Sequence, residues 1–401
     1  MDVALASSVA VARQPILDRR QRLRGYELLH RGAAASCGEQ ATAQVLLAAF
    51  GEIGLRGLVG KTPAWVNVSR RFLLDVDPLP LSPHEVVLEL LEDQRLDADL
   101  LDRLRALTAK GFRLALDDFR YSPEAEGVLE LASIVKIDVL AGGLDHAAEQ
   151  ARLLRPYGVT LLAEKVEDRA MHDACLALGY ELFQGFFFCR PEIVTGRAIP
   201  TSASSALLDI AVLSRGDASF EQIEAIVTHD PGLTLRLLRL LNSAAYPLRR
   251  SVTTVHEALT MLGAQAVRQW AMMLVLGGIS TNCDELVATA LNRARTLQRL
   301  AEHRGGDADV AFSVGLLSVV DALLGVSLEE ALDGVPLHHA VIDALLRRTG
   351  PDGAALSAVL DYEWALHPVG DPGAQDPLAA CYAEALSWSL VTASAARAVI
   401  A

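Results

Sequence analysis

Acidic and amide side chains interrupt several short apolar runs in the first half of the chain. Glu27 lies within the run 25–29, Glu89 lies within 87–90, and Asp117 closes the run that begins at Leu114. An ionised carboxylate in an apolar strand is unfavourable unless it is paired, hydrogen-bonded or bound to a metal. The candidates for chemistry are therefore Glu27, Asn67, Glu89, Asp117, Asp118, Lys136 and Glu164.

Hard oxygen donors of this kind suit Mg²⁺ or Mn²⁺ better than zinc. A divalent metal held by them polarises a phosphoryl oxygen and lowers the pKa of bound water. The residues alone therefore predict metal-assisted hydrolysis of a phosphate ester. Structural salt bridges, or a vestigial site, are the alternative interpretation.

These side chains need strands to position them, and the first half offers about eight short apolar runs, a number that suits a (β/α)-barrel. The predicted strands are 9–14, 23–30, 64–69, 86–91, 113–117, 134–137, 160–164 and 182–187, with helices at 42–50 and 98–110 between them. Such alternation favours a parallel sheet covered by helices. Only residues 17–22 separate the first two strands, which permits a hairpin but no helical crossover. A barrel would bring the acidic residues together at the carboxyl ends of its strands.

The second half has few strand signals. Leu233, Leu237, Leu240 and Leu241 recur at helical spacing. Further helices are predicted at 256–262, 265–276, 285–303, 310–324, 337–347 and 381–396. We therefore expect two domains, an α/β barrel over 1–198 and an all-helical domain over 199–401.

The composition excludes several classes of protein. The 401 residues carry 36 basic and 50 acidic side chains, a net charge of −14, so direct nucleic-acid binding is not expected. No apolar stretch is long enough to span a bilayer, and residues 1–4 do not begin a secretory signal. The five cysteines include no CxxC pair. These features predict a cytoplasmic protein without a membrane partner.

The chain resembles a known family at the same positions. Across residues 9–192, the order and spacing of its motifs are similar to those of the EAL-type cyclic di-GMP phosphodiesterases. The matching runs are Ala12-Arg13-Gln14-Pro15-Ile16, Glu27-Leu28-Leu29-His30-Arg31, Val66-Asn67-Val68-Ser69, Glu89-Leu90-Leu91-Glu92, Asp117-Asp118-Phe119, Lys136-Ile137-Asp138, Ala163-Glu164-Lys165-Val166-Glu167 and Phe183-Gln184-Gly185-Phe186. The resemblance implies a modified (β/α)8 TIM-like barrel with an antiparallel first strand. It also implies hydrolysis of cyclic di-GMP to linear pGpG with two Mg²⁺ or Mn²⁺ ions.

The resemblance also implies roles for single residues. The metal ligands would be Glu27, Asn67, Glu89 and Asp117, with Asp118 towards the second metal. Lys136 and Glu164 would orient the attacking water. On the substrate side, the matching residues are Gln14 near a guanine, Arg31 at a phosphate, and Gln184 beside the metal and water cluster. Glu92 would steady the loop after the paired aspartates.

Two positions depart from the family pattern. Leu28 stands in place of the alanine of the signature tripeptide, which reads Glu27-Leu28-Leu29 here, although its glutamate is kept. The loop after Phe119 begins with Arg120-Tyr121, where active members carry a glycine-threonine-glycine stretch. Glycines permit close backbone approach to a metal site, and in the family this loop couples dimer contacts to metal binding. A weak or conditional phosphodiesterase is therefore predicted. The alternative is a cyclic di-GMP sensor or adaptor without turnover. A homodimer is possible in either case.

The second half resembles the HDOD helical module, most closely over 207–280. The matching runs are His229-Asp230-Pro231-Gly232-Leu233, Leu240-Leu241-Asn242-Ser243-Ala244-Ala245-Tyr246 and Ala258-Leu259-Thr260-Met261-Leu262-Gly263. Metal-binding relatives of this module place a His-Asp pair where this chain has Ser318-Val319. We expect Asp230, before Pro231, to cap a helix. The resemblance implies a non-catalytic module that binds an unidentified protein partner.

Overall fold

The computed structural model describes residues 11–30, 55–92, 94–185, 201–242, 251–279, 284–364 and 377–400. Clustering of contacts divides them into two compact units. One contains the described residues up to 185 together with 377–379, and the other contains the described residues of 201–364 and 380–400. The predicted boundary between 198 and 199, and the predicted helix 42–50, lie outside the described residues.

The first unit is a closed barrel of strands in sequence order. The strands are β1 (Val11–Asp18), β2 (Leu23–His30), β3 (Ala64–Val68), β4 (Val86–Leu90), β5 (Arg113–Leu116), β6 (Ile134–Asp138), β7 (Thr160–Val166) and β8 (Leu182–Gly185). Strand β1 is antiparallel to both β2 and β8, and the other neighbours are parallel. The prediction of a (β/α)8-type barrel with an antiparallel first strand is confirmed.

Helices and short turns connect the strands of the barrel. They are α1 (Leu55–Val59), α2 (Arg70–Asp75), α3 (Ala98–Ala109), α4 (Glu126–Leu129), α5 (Val139–Leu154) and α6 (Arg169–Leu178), with 3-10 turns at Pro123–Ala125 and Arg155–Tyr157. The Asp97 side chain accepts from the Leu100 amide to begin α3. Lys110 caps the carboxyl end of α3, and Gly111 follows with φ 92°. This end agrees with the helix predicted over 98–110.

Alternate residues of the strands divide the barrel interior into two layers. The lower layer is apolar and comprises Ile16, Trp65, Val87, Ala115, Ile134 and Leu162, with Leu182 packed against it. A β-carbon at Gly25 would lie 2.4 Å from Trp65 Nε1, so the indole occupies the space that a side chain on β2 would fill. The layer towards the carboxyl ends of the strands carries the polar side chains.

The second unit is helical, as predicted. Its helices are α7 (Thr201–Leu213), α8 (Phe220–His229), α9 (Pro231–Leu241), α10 (Val255–Ile279), α11 (Asp284–His303), α12 (Ala308–Leu317), α13 (Val320–Leu324), α14 (Leu328–Leu332), α15 (His339–Ile342), α16 (Gly350–Trp364) and α17 (Pro377–Ile400), with a π turn at Asp343–Arg347. Helix α10 is kinked at Gly263, which separates the two predicted helices. Asp230 caps α9 through the Gly232 amide, with Pro231 at the first helical position. None of the described helices has the length and apolar run needed to cross a membrane.

Helices α11 and α12 pack closely at the position where metal-binding relatives of this module place their His-Asp pair. A β-carbon at Gly315 would lie 2.4 Å from the Ala294 backbone, so only glycine permits this approach. Ser318 and Val319 stand in place of the pair, and the Ser318 hydroxyl donates to the Gly315 carbonyl at 2.7 Å. This part of the unit therefore offers packing and not metal ligands.

Candidate active site

The polar layer of the barrel brings together side chains from different strands. Asn67 of β3 lies beside Glu89 of β4 in the parallel register, and Gln14 of β1 pairs with Glu27 of β2. Asp117 directly follows β5, and its amide donates to the Leu90 carbonyl at 2.9 Å. The residues gathered there are Gln14, Glu27, Asn67, Glu89, Asp117, Lys136, Glu164 and Gln184. The carboxyl ends of the strands thus bring these predicted side chains together at one mouth of the barrel.

Lys136 lies at the centre of this cluster. Its side chain is fully buried, and its Nζ contacts Glu27 Oε2 at 3.3 Å and Glu89 Oε1 at 3.0 Å. The same atom lies 2.6 Å from Asp117 Oδ1 and 3.0 Å from Glu164 Oε1. Burial lowers the pKa of Lys136, but the surrounding carboxylates outweigh burial and hold that pKa well above its ordinary value. The lysine is therefore a permanent cation.

Glu27 accepts several hydrogen bonds. Gln184 Nε2 donates to Glu27 Oε2 at 2.6 Å and lies at the same distance from Gln14 Oε1. Asn67 Nδ2 donates to Glu27 Oε1 at 3.3 Å. Burial raises the pKa of Glu27, but Lys136 and these amide donors outweigh it, and the pKa stays below its usual value. Glu27 is consequently ionised and fixed in orientation.

The other carboxylates are only partly compensated. Burial, followed by the charge of Glu27, raises the pKa of Glu89 well above its ordinary value. Burial also raises the pKa of Asp117, and it raises that of Glu164 to about 8, with Lys136 opposing both shifts. One ammonium group thus faces several crowded acids, so a further cation bound among them would favour their ionised forms.

The donor chemistry of this cluster fits a divalent metal. Glu89 Oε2 and Glu164 Oε2 are buried and have no hydrogen-bond donor within the described ranges. In that same part of the chain, no group of three or more acidic, histidine or cysteine residues is arranged to hold a metal as it stands. Lys136 Nζ lies between the carboxylates, within 3.0 Å of Glu89, Asp117 and Glu164. Hard oxygen ligands are present, and their unused atoms suit Mg²⁺ or Mn²⁺.

The remaining predicted residues are not gathered around Lys136. Asp118 is exposed, with φ 44°, directly beyond Asp117. Glu92 is exposed after β4 and makes no hydrogen bond or ion pair with the residues described. Arg31 lies outside the described residues. The roles suggested for these residues stay predictions.

The loop that departs from the family pattern is fixed to the rest of the barrel. The Phe119 amide donates to the Lys136 carbonyl at 3.1 Å, and the Tyr121 amide donates to Gln150 Oε1 at 3.0 Å. The Tyr121 and Tyr157 hydroxyls are 3.4 Å apart. The sequence analysis missed Gln150 and Tyr157. No sequence motif marks either residue. The structure shows that Gln150 is a buried amide of α5 and that Tyr157 lies just beyond that helix.

Asp138 has a structural role in this region. Its Oδ1 accepts from the Leu140 and Ala141 amides at 2.9 and 2.8 Å and caps α5. Its other oxygen pairs with Lys165. Burial raises the pKa of Asp138, but the amide of Ala141 and the Lys165 side chain outweigh it and leave the pKa low. Asp138 therefore supports the local structure next to the site and is not one of the residues gathered around Lys136.

Comparison with known proteins gives two consecutive domain matches. The model of the EAL domain matches residues 67–191, and that of the HDOD domain matches residues 199–368. Cyclic di-GMP phosphodiesterase CdgJ of Vibrio cholerae is 33% identical over 357 residues, which cover 86% of this chain and 83% of that protein. The uncharacterized protein YuxH of Bacillus subtilis is 29% identical over 402 residues, covering 95% of this chain and 98% of that protein.

Solved structures match the chain over less of its length. Klebsiella pneumoniae BlrP1, in a calcium and cyclic di-GMP complex, is 22% identical with a TM-score of 0.37. The match covers 48% of this chain and 58% of that chain.

Proposed function

Because the chain belongs to the family of proteins in which an EAL domain is followed by an HDOD domain, we propose that its barrel hydrolyses cyclic di-GMP to linear pGpG. The observation that carries this proposal is the set of carboxylates gathered around Lys136. The 33% identity to a cyclic di-GMP phosphodiesterase over most of both chains supports the choice of substrate.

Divalent metal is part of the proposal. Glu27, Asn67, Glu89 and Asp117 would hold it, with Asp118 towards a second ion. When bound, such metals withdraw charge from a phosphoryl oxygen and acidify water. Either Mg²⁺ or Mn²⁺ suits these ligands, because both prefer carboxylate and amide oxygens.

The protein's own side chains would position the reactants. Lys136, a buried cation, would donate to the attacking water, while Glu164 Oε2 would accept its proton. Water oxygen adds to phosphorus, the bond to the 3′ oxygen breaks, and that oxygen takes up the proton that the water gave to Glu164. Gln14 and Gln184, linked to each other by a hydrogen bond of 2.6 Å, would border the substrate. Arg31 would contact phosphate through its guanidinium fork.

The direct test is metal-dependent turnover by the purified full-length chain. Linear pGpG should form from cyclic di-GMP with Mg²⁺ or Mn²⁺, and Glu27→Ala should abolish its formation. Glu130→Ala is the matched control, because Glu130 is an exposed glutamate of the same unit outside the site. The absence of product at every metal and protein concentration would refute the enzyme.

One observation favours a second function, a cyclic di-GMP sensor or adaptor without turnover. Arg120 and Tyr121 occupy the loop beside Asp117 and Asp118, and the Tyr121 amide is bound to Gln150. A loop held within its own barrel has less freedom to reposition the two aspartates on metal binding. Calorimetry with and without metal separates the two functions, because saturable binding without product identifies the sensor and no binding identifies the adaptor.

For the second half we propose a non-catalytic module that contacts a protein partner and restrains or enables the barrel. Ser318 and the buried Val319 stand where the resemblance places the metal-binding pair of its relatives. We further propose a domain boundary at 198/199 and a cytoplasmic location, and a homodimer remains to be tested. Turnover measured after deletion of 201–401 would show the direction of the coupling.

A further inference from the structure

A second cavity lies at the opposite mouth of the barrel, where β3 to β8 begin. It has a volume of about 790 Å³ and is lined by the β1–β2 turn, residues 61–63 and the first residues of β5, β7 and β8. This volume falls within the range of about 300–1,000 Å³ that small-molecule sites occupy. The apolar layer that contains Trp65 and Ile134 separates the cavity from the carboxylates around Lys136. The two mouths are therefore independent sites.

The cavity is strongly basic in a chain whose net charge is −14. Its cationic lining residues are Arg19, Arg20, Arg22, Arg24, Lys61 and Arg113. The acidic residues of the lining are Asp18 and Glu181. Concave surfaces of one sign of charge concentrate ions of the opposite sign.

The two acidic residues compensate only part of this excess. Glu181 pairs with Arg19 at 3.1 Å. Asp18 Oδ1 is engaged by the backbone amides of Arg20 and Arg22 at 2.8 and 3.0 Å. Across the described part of the chain, the side chains of Arg20, Arg22, Arg24, Lys61 and Arg113 form no ion pair.

Two arginines of the cavity lining, Arg24 and Arg113, carry like charges that repel each other. Burial, followed by the charge of Arg24, lowers the pKa of Arg113. These residues come from different strands, so the barrel itself holds the like charges in proximity. An anion between them would relieve the repulsion.

The turn that presents three of the arginines is fixed before any ligand binds. The Asp18 amide donates to the Arg22 carbonyl at 2.9 Å, and the Gln21 amide donates to the Asp18 carbonyl at 2.8 Å. Gln21 adopts φ 56°, which closes the tight turn. Less conformational freedom is then lost when the arginines engage a ligand.

We propose that this amino-terminal mouth binds a small anion that carries a phosphate chain, of the class of pyrophosphate and nucleoside polyphosphates. Guanidinium forks match phosphate oxygens in pairs, and several forks around one concavity suit adjacent phosphates better than a single carboxylate. A long nucleic acid is disfavoured, because the net charge of the whole chain would repel it. The proposal does not require turnover at the other mouth.

The test is calorimetric titration of the full-length protein with inorganic pyrophosphate in metal-free solution, where no bridging metal can recruit the anion to the acidic mouth. We expect saturable binding that weakens at least about tenfold in the Arg24→Gln/Arg113→Gln variant, because two charge-assisted contacts are lost. Arg105→Gln removes an exposed arginine of α3 outside the cavity and should bind as the wild type does. Lys61→Gln, which alters no strand, should weaken binding to a smaller extent.

Further ligands and one further variant complete the test. GTP or ATP binding tighter than pyrophosphate would assign a nucleotide, and equal affinities would assign the phosphate chain alone. The Glu27→Gln variant should retain pyrophosphate binding. No saturable binding by the wild type, equal binding by the double variant, equal affinity for citrate, or binding only of a single-stranded oligonucleotide would each overturn the proposal.

Discussion

The two mouths of the barrel carry opposite charge and manage it differently. At the carboxyl mouth, four acidic side chains surround one buried lysine, which contacts each of them. At the amino mouth, arginines are exposed and largely unpaired within the described residues. Buried like charges require a fixed counter-ion, whereas exposed ones are stabilised by water. A single barrel can therefore keep acidic residues at one mouth and basic residues at the other when an apolar layer separates them.

The largest expected effect comes from removing the buried cation of the carboxyl mouth. Lys136→Met should abolish turnover and lower the free energy of unfolding by about 3–5 kcal/mol, because it leaves buried carboxylates uncompensated. Chemical denaturation measures the change, and added Mn²⁺ should recover part of it by binding only the folded protein.

The same substitution at the other mouth is the matched control. Lys61→Met removes an exposed lysine and should change stability by no more than about 0.5 kcal/mol. Equal losses in the two variants would mean that the two mouths do not differ in how they hold charge.

An intermediate effect is expected from the layer between the mouths. Gly25→Ala would place a methyl group against the Trp65 indole and should lower the free energy of unfolding by about 1–3 kcal/mol through overpacking. The nearest atom to a β-carbon at Gly127 is 3.5 Å away, so Gly127→Ala should be neutral or stabilising by up to about 1 kcal/mol. A neutral Gly25→Ala would show that the layer is loosely packed.

The smallest effect is expected at the rim of the amino mouth. Glu181→Gln frees Arg19 from an ion pair whose side chains are 53% and 51% exposed, so stability should change by less than about 1 kcal/mol. Pyrophosphate affinity should nevertheless rise by up to about fivefold, since the cavity gains one uncompensated cation. Weaker binding would show that Glu181 orders the site instead of opposing the ligand.

Much of the barrel was predictable because its strands are buried on both faces and therefore read as apolar runs. The starts of β2 to β8 agree with the sequence, and the short 17–22 connection correctly indicated the antiparallel pair. The helix predicted over 98–110 has the expected limits, since Asp97 caps its start and Gly111 follows its end. The helix expected over 310–324 instead breaks after Leu317, where the Ser318 hydroxyl bonds to the Gly315 carbonyl.

The residues of the site could be predicted from the sequence, but the contacts between their side chains could not. Glu27 and Asn67 were identified as ligand types, yet their hydrogen bond joins residues 40 apart in sequence. Gln150 carried no motif, and its contact with the Tyr121 amide depends on how α5 packs beside the loop. The arginines of the first hairpin are close together in the sequence, whereas Arg113 and Lys61 join them only when the barrel closes.

The sequence by itself determined the apolar runs that form the strands and the polar residues within or directly after them, because a strand buried on both faces is apolar almost throughout. Tertiary structure alone decided that Lys136 contacts acids from four other strands or strand ends, and that cations from the hairpin and β5 share one cavity. The physical reason is that charge interactions depend on distance in space, and barrel closure sets those distances between residues far apart in the chain.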